Sequence, residues 1–159
     1  MNLFNEIEII CWGELRNKNN VQKLCQNIVE AQQEVWKSSL EFFNSYVEQC
    51  KFKYQLLIND RCEIVYPQDY FIKTVDILER IPQIGFVYTD YNDVLLPSFK
   101  PYIFRDKNLI TGFPLLIKNI KDKIHVNSAK EDYLIGAIRI LSTHLIGYHI
   151  AEPLIRIYS

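Results

Sequence analysis

The chain has 159 residues, 48% of them hydrophobic and 23% charged, with a formal net charge of −1. That length suits one domain with a sizeable core. The near-neutral balance, with only Lys118, Lys121 and Lys123 loosely clustered, argues against nucleic acid as a partner. No apolar run reaches the roughly 18 residues of a membrane span, so no transmembrane segment is expected. Met1–Glu6 lacks the basic start and small-residue cleavage site of a signal peptide, which points to a cytoplasmic protein. The four cysteines, Cys11, Cys25, Cys50 and Cys62, show no CxxC spacing and read as free thiols in a reducing compartment.

Glu6 to Trp12 reads as a buried strand ending at Gly13. A polar loop, Arg16 to Asn20, follows, with Asn20 placed to cap a helix. From Val21 to Cys50 the apolar residues fall at helical spacing, and Ser38 with Glu41 forms a capping-box pattern that starts a second helix. No strand is expected between Gly13 and Lys53. Tyr54 to Asn59 is a short buried strand that empties into a loop closed by Pro67. Gln68 to Arg80 carries Phe71, Ile72, Val75 and Leu78 on one helical face. Ile84 to Tyr91 is the strongest strand. Asp93 to Arg105, with two prolines, reads as irregular. Leu115 to Ile117 and Tyr148 to Ala151 are short strands, and Glu131 to Thr143 is a helix between them. Strands alternating with helices predict an α/β domain over residues 1–159, with a mixed, mostly parallel sheet flanked by helices.

Four segments in this order carry a family resemblance. Tyr54 to Pro67 is a buried strand running into Asp60-Arg61-Cys62-Glu63, with a proline seven residues after Asp60. Ile84 to Tyr91 is the next strand. Asn108-Leu109-Ile110-Thr111-Gly112 leads to Leu115–Lys118. Glu131-Asp132 opens the last helix, and Glu152-Pro153 follows the final strand. This order resembles the second half of the GT-A fold of family-2 glycosyltransferases.

The resemblance implies an inverting transferase, hexosyltransferase-type, that moves a sugar from a nucleoside-diphosphate donor to a hydroxyl of a polysaccharide or other glycan. It implies Asp132 as catalytic base, preceded by Glu131. It places Asp60, Arg61 and Glu63 at the donor diphosphate, with Asp60 and Glu63 as ligands for Mn2+ or Mg2+, and Thr111 and Gly112 in the acceptor loop. The chemistry suits those residue types. A cation held by carboxylates neutralises the leaving diphosphate. A second carboxylate removes the proton of the attacking hydroxyl.

The chain departs from the family pattern at two places. Cys62 stands at the second acidic position, where a soft thiol is a poor ligand for either metal. The expected lack of a second strand leaves a truncated nucleotide-binding half. A rival reading is therefore a non-catalytic structural or assembly module that keeps the fold and binds a protein partner or a second copy of itself, with the aromatic-rich stretch Trp36 to Tyr46 as an interface. The remaining polar residues have plainer readings. Asp90 and Asp93 suit turn chemistry, His125, His144 and His149 show no ligand spacing, and Trp12 and Trp36 read as core or interface anchors.

Overall fold

The computed structural model describes residues 2–31, 51–106, 112–118 and 133–158. After a 3-10 turn at Leu3–Glu6 come β1 (Ile7–Trp12), α1 (Lys18–Gln22), β2 (Ile28–Ala31), β3 (Tyr54–Asn59), β4 (Cys62–Ile64), α2 (Pro67–Arg80), β5 (Ile84–Tyr91), α3 (Pro101–Asp106), β6 (Leu115–Lys118), α4 (Tyr133–His144) and β7 (Ile146–Ile157). All seven strands join one sheet in the order β2-β1-β3-β6-β5-β7-β4. β1, β2 and β3 pair in parallel, as do β5 and β7, while β6 and β4 run against their neighbours. Five of the seven strands thus share one direction, which gives the α/β class and the mixed, mostly parallel sheet expected from the alternating pattern.

β3 is buried along its whole length because both of its faces are covered. The Tyr54 hydroxyl donates to the Glu79 carboxylate on α2, which places α2 on the Tyr54 face. Alternation along a strand sends Phe86 and Tyr88 to the face opposite Val87. Val87 pairs through Leu116 with Leu56, which shares a face with Tyr54. Tyr88 therefore lies on the other face, where its ring packs against Phe104 of α3 and against Phe113 at 5.3 Å. α4 packs on β3 and α3 and delivers the chain to the starting edge of β7.

The far end of the sheet curls. Only Asp60 and Arg61 separate β3 from β4, yet three strands, β6, β5 and β7, lie between them in the sheet order. β7 makes this possible. Its register against β5 shifts around Thr89, Asp90 and Tyr91, where Pro153 sits opposite Asp90. Proline has no N–H to give the ladder, so a bulge forms there and the strand bends. Beyond the bend, Ile155 to Ile157 pair with β4 and fold it back over the end of β3.

Several expectations are corrected. The segment after Val21 is not a continuous helix: α1 stops at Gln22, and Ile28–Ala31 is a parallel strand on β1. The second strand expected to be missing is therefore present, and the first half of the domain is not truncated at that point. Asn20 caps nothing. The residue before α1 is Asn17, in a left-handed conformation with its side chain turned elsewhere. Pro67 opens α2, where its fixed φ and missing N–H do no harm. Ile72 is exposed, and Tyr70, Thr74 and Ile77 are buried with Phe71, Val75 and Leu78. β7 is longer than the expected Tyr148–Ala151, and β4 forms within the stretch expected to be a loop. The helix expected from Ser38 lies outside the described residues. Among the described residues, Cys11, Cys25 and Cys62 form no disulfide and are buried, where thiols pack as small hydrophobes. No helix among the described residues is long and apolar enough to cross a membrane.

Candidate functional site

β1 and β3 lie side by side and end at the same edge, with Trp12 paired to Asn59. The next residues, Gly13 and Asp60, make the closest feature of the site. The Asp60 amide donates to the Trp12 carbonyl at 3.0 Å, which draws the carboxylate over the Gly13 backbone. Gly13 has φ +96°, and a Cβ there would stand 2.5 Å from Asp60 Oδ2. Only glycine tolerates both the backbone angle and the contact.

The loop after Gly13 is buckled to the β3–β4 turn. Arg16 Nε donates to the Asp60 carbonyl at 2.6 Å, and its guanidinium lies 4.2 Å over the Tyr158 ring. Asn17, at φ 57°, sends its amide to the Ile64 carbonyl at 2.8 Å. Glu30 of β2 accepts from the Leu15 amide at 2.6 Å and pairs with Lys18. Burial opposes ionisation of Glu30, but Lys18 and the Leu15 N–H outweigh it and hold the carboxyl below its ordinary range. The turn itself is pinned on both sides. Arg61 N–H donates to Asn59 Oδ1 at 3.0 Å, and the Arg61 carbonyl accepts from Tyr158 N–H at 2.9 Å.

Glu14, Leu15, Arg16, Asp60 and Arg61 line an open cleft of about 450 Å³ at this edge. Glu14, Arg16, Asp60 and Arg61 are all exposed there. Two guanidinium groups and an acceptor carboxylate on a fixed floor suit a ligand that carries both phosphate and hydroxyl groups.

The other expected site residues fall as follows. Glu63 does not line the cleft: its carboxylate accepts from the Tyr158 hydroxyl at 3.2 Å and stands 3.6 Å from Arg156. Cys62 is fully buried, and its thiol donates to Asn59 Oδ1 at 3.2 Å. Gly112 is buried just before β6. Because β6 runs against β3, Gly112 lies at the same edge of the sheet as Asp60. Thr111, Glu131 and Asp132 lie outside the described residues. Among the described residues, no three acids, histidines or cysteines are close enough to share a metal ion.

Sequence reading missed Glu14, Arg16, Glu30 and Tyr158. Gly13 at the end of a strand was the available signal for a turn, but the partner of Arg16 is 44 residues away. It also missed a buried pair. His149 Nε2 meets Asp90 Oδ1 at 2.6 Å, the Leu96 amide donates to the same oxygen at 2.8 Å, and Tyr88 stacks on the imidazole at 5.2 Å. Asp90 Oδ2 is buried and has no hydrogen-bond partner among the described residues. The pair ties the loop after β5 to β7, so neither residue serves only its local turn.

No family model matches the chain, and no curated protein matches it.

Proposed function

We propose that this chain is a glycosyltransferase-like domain of GT-A type, which takes a nucleoside-diphosphate sugar in the cleft beside Asp60 and transfers the sugar to a hydroxyl acceptor. The observation that carries the reading is the seating of Asp60 on Gly13 where two adjacent parallel strands end, since open α/β sheets bind ligands beyond the carboxyl ends of their strands. Three further features support it. β2 supplies the second strand that a nucleotide-binding half calls for. Gly112 lies at the same edge, where the acceptor loop is expected. α4 ends at the opposite edge, so it crosses the sheet face from the side of the cleft, and its first residue, Tyr133, directly follows Asp132.

In this reading Asp60, an acceptor-only group, takes hydrogen bonds from hydroxyls of the donor. The acceptor oxygen attacks the anomeric carbon from the side opposite the leaving group. The bond from that carbon to the diphosphate oxygen breaks, its electron pair leaves with the diphosphate, and the acceptor proton passes to the Asp132 carboxylate. Configuration inverts. The described residues do not suit Mn2+ or Mg2+, which need several oxygen ligands. Cys62 is turned inward, Glu63 is held by Tyr158 and Arg156, and among the described residues the cleft offers only the carboxylates of Asp60 and Glu14.

The test is calorimetric titration with UDP, GDP and their common sugars, followed by acceptor screening with any donor that binds. Asp132→Asn is expected to lower turnover by about 100-fold or more while donor affinity and melting temperature stay unchanged. Failure of every nucleoside diphosphate to bind would sink the reading. The non-catalytic module would then be the better account, and light scattering would be expected to reveal a large oligomer.

A further inference from the structure

We infer that the diphosphate of the donor is neutralised here by Arg16 and Arg61, with no divalent cation. This rests on the donor-binding reading above and adds how the leaving group is held.

The acids needed for a cation are diverted, each by a visible contact. The side chain at the second acidic position, Cys62, is buried beneath the turn and spends its thiol hydrogen on Asn59. Glu63 follows it on a strand, so the pleat sends its carboxylate the other way, to Tyr158 and Arg156. Asp60 remains, with the exposed Glu14 across the cleft, and no third acid, histidine or cysteine joins them among the described residues.

Positive charge stands where the cation would be needed. Arg16 is positioned by its Nε–H bond to the Asp60 carbonyl and by stacking on Tyr158. A guanidinium has five N–H donors, so this anchor leaves the four on its terminal nitrogens. Such a fork, already held in place, binds phosphate oxygens in pairs at little entropic cost. Arg61 lines the same cleft from a backbone fixed at both its amide and its carbonyl. As the anomeric bond breaks, the electron pair moves onto the diphosphate oxygen, and the two guanidinium groups stabilise the charge that gathers there without becoming deprotonated.

The experiment titrates the whole chain with UDP, GDP and their sugars, once in excess EDTA and once with manganese or magnesium. The expected result is equal affinity in both buffers, falling as sodium chloride is raised. Arg16→Gln and Arg61→Gln are each expected to weaken binding about 10- to 100-fold. Arg16→Lys, which keeps the charge but loses the fork and the stacking, is expected to fall between wild type and Arg16→Gln. Binding that appears only with the metal would overturn the inference and leave the donor reading standing. Equal affinity in the arginine variants would overturn it as well. No binding in either buffer would remove both.

Discussion

Gly13 and Asp60 depend on one another more than any other pair in the cleft. Alanine at position 13 places a methyl carbon 2.5 Å from the Asp60 carboxylate, at a φ of +96° that a side chain resists. Gly13→Ala is therefore expected to cost about 2–3 kcal/mol in denaturant unfolding. It is also expected to abolish donor binding, because Asp60 must move. Asp60→Ala, which leaves the backbone unstrained, separates the two effects: binding falls and stability stays within about 1 kcal/mol of wild type. Asp60 was legible in the sequence as the acid that ends a buried apolar strand. Arg16 was not, because neither its carbonyl partner nor the Tyr158 ring is near it in the chain.

Among the elements, the end of β7 does most to shape the site. Asn92, at φ 50°, accepts from the Ile157 amide at 3.0 Å and donates to the Ile157 carbonyl at 2.9 Å. The next residue, Tyr158, bonds the Arg61 carbonyl and supports Arg16. Asn92→Ala removes both side-chain bonds and strains the backbone, for a cost of about 2 kcal/mol. Hydrogen exchange is expected to quicken at the amides of Ile157 and Tyr158, and donor affinity to drop. Asn92→Gly tolerates the backbone angle but lacks the bonds. If it restored slow exchange, the reciprocal bonds would not be what holds the strand end. The sequence hid this element because Pro153 interrupts its pattern. β2 was hidden for a different reason: Ile28, Val29 and Glu30 are only half-buried at the sheet edge, so strand alternation is weak there and the helical spacing of Val21, Leu24 and Cys25 ran on through it.

At the scale of the whole molecule, buried thiols link stability to pH. Burial pushes the Cys25 thiol up to about 12 from an ordinary 9.0, and burial, then Glu30 and Asp60, push Cys11 higher still. The folded state keeps both protons where the unfolded chain loses them. Stability from these groups is thus complete below about pH 9 and declines as pH rises above it. The fall approaches about 1.4 kcal/mol per pH unit for each thiol. Urea midpoints measured from pH 7 to pH 10 are expected to be flat at first and then to drop. In the folded protein at pH 8, Cys11, Cys25 and Cys62 are expected to resist alkylation in peptide-mapped labelling, and all three to react in urea. Rapid labelling of Cys11 without denaturant would contradict the packing of β1 against its neighbours.

By itself the sequence determined the α/β class, the strands β1, β3, β5 and β6, most of the face of α2 that turns inward, and the acid at the end of β3. These are local consequences of apolar spacing, and burial on both faces makes that spacing strong. Only the tertiary structure decided that β2 joins the sheet, that β4 leaves its neighbour in sequence to pair with β7, and that Arg16, Arg61 and Asp60 share one cleft while Glu63 turns away. Each of those depends on a partner distant in the chain, or on one strand's pleat, and neither is written in the spacing of nearby residues.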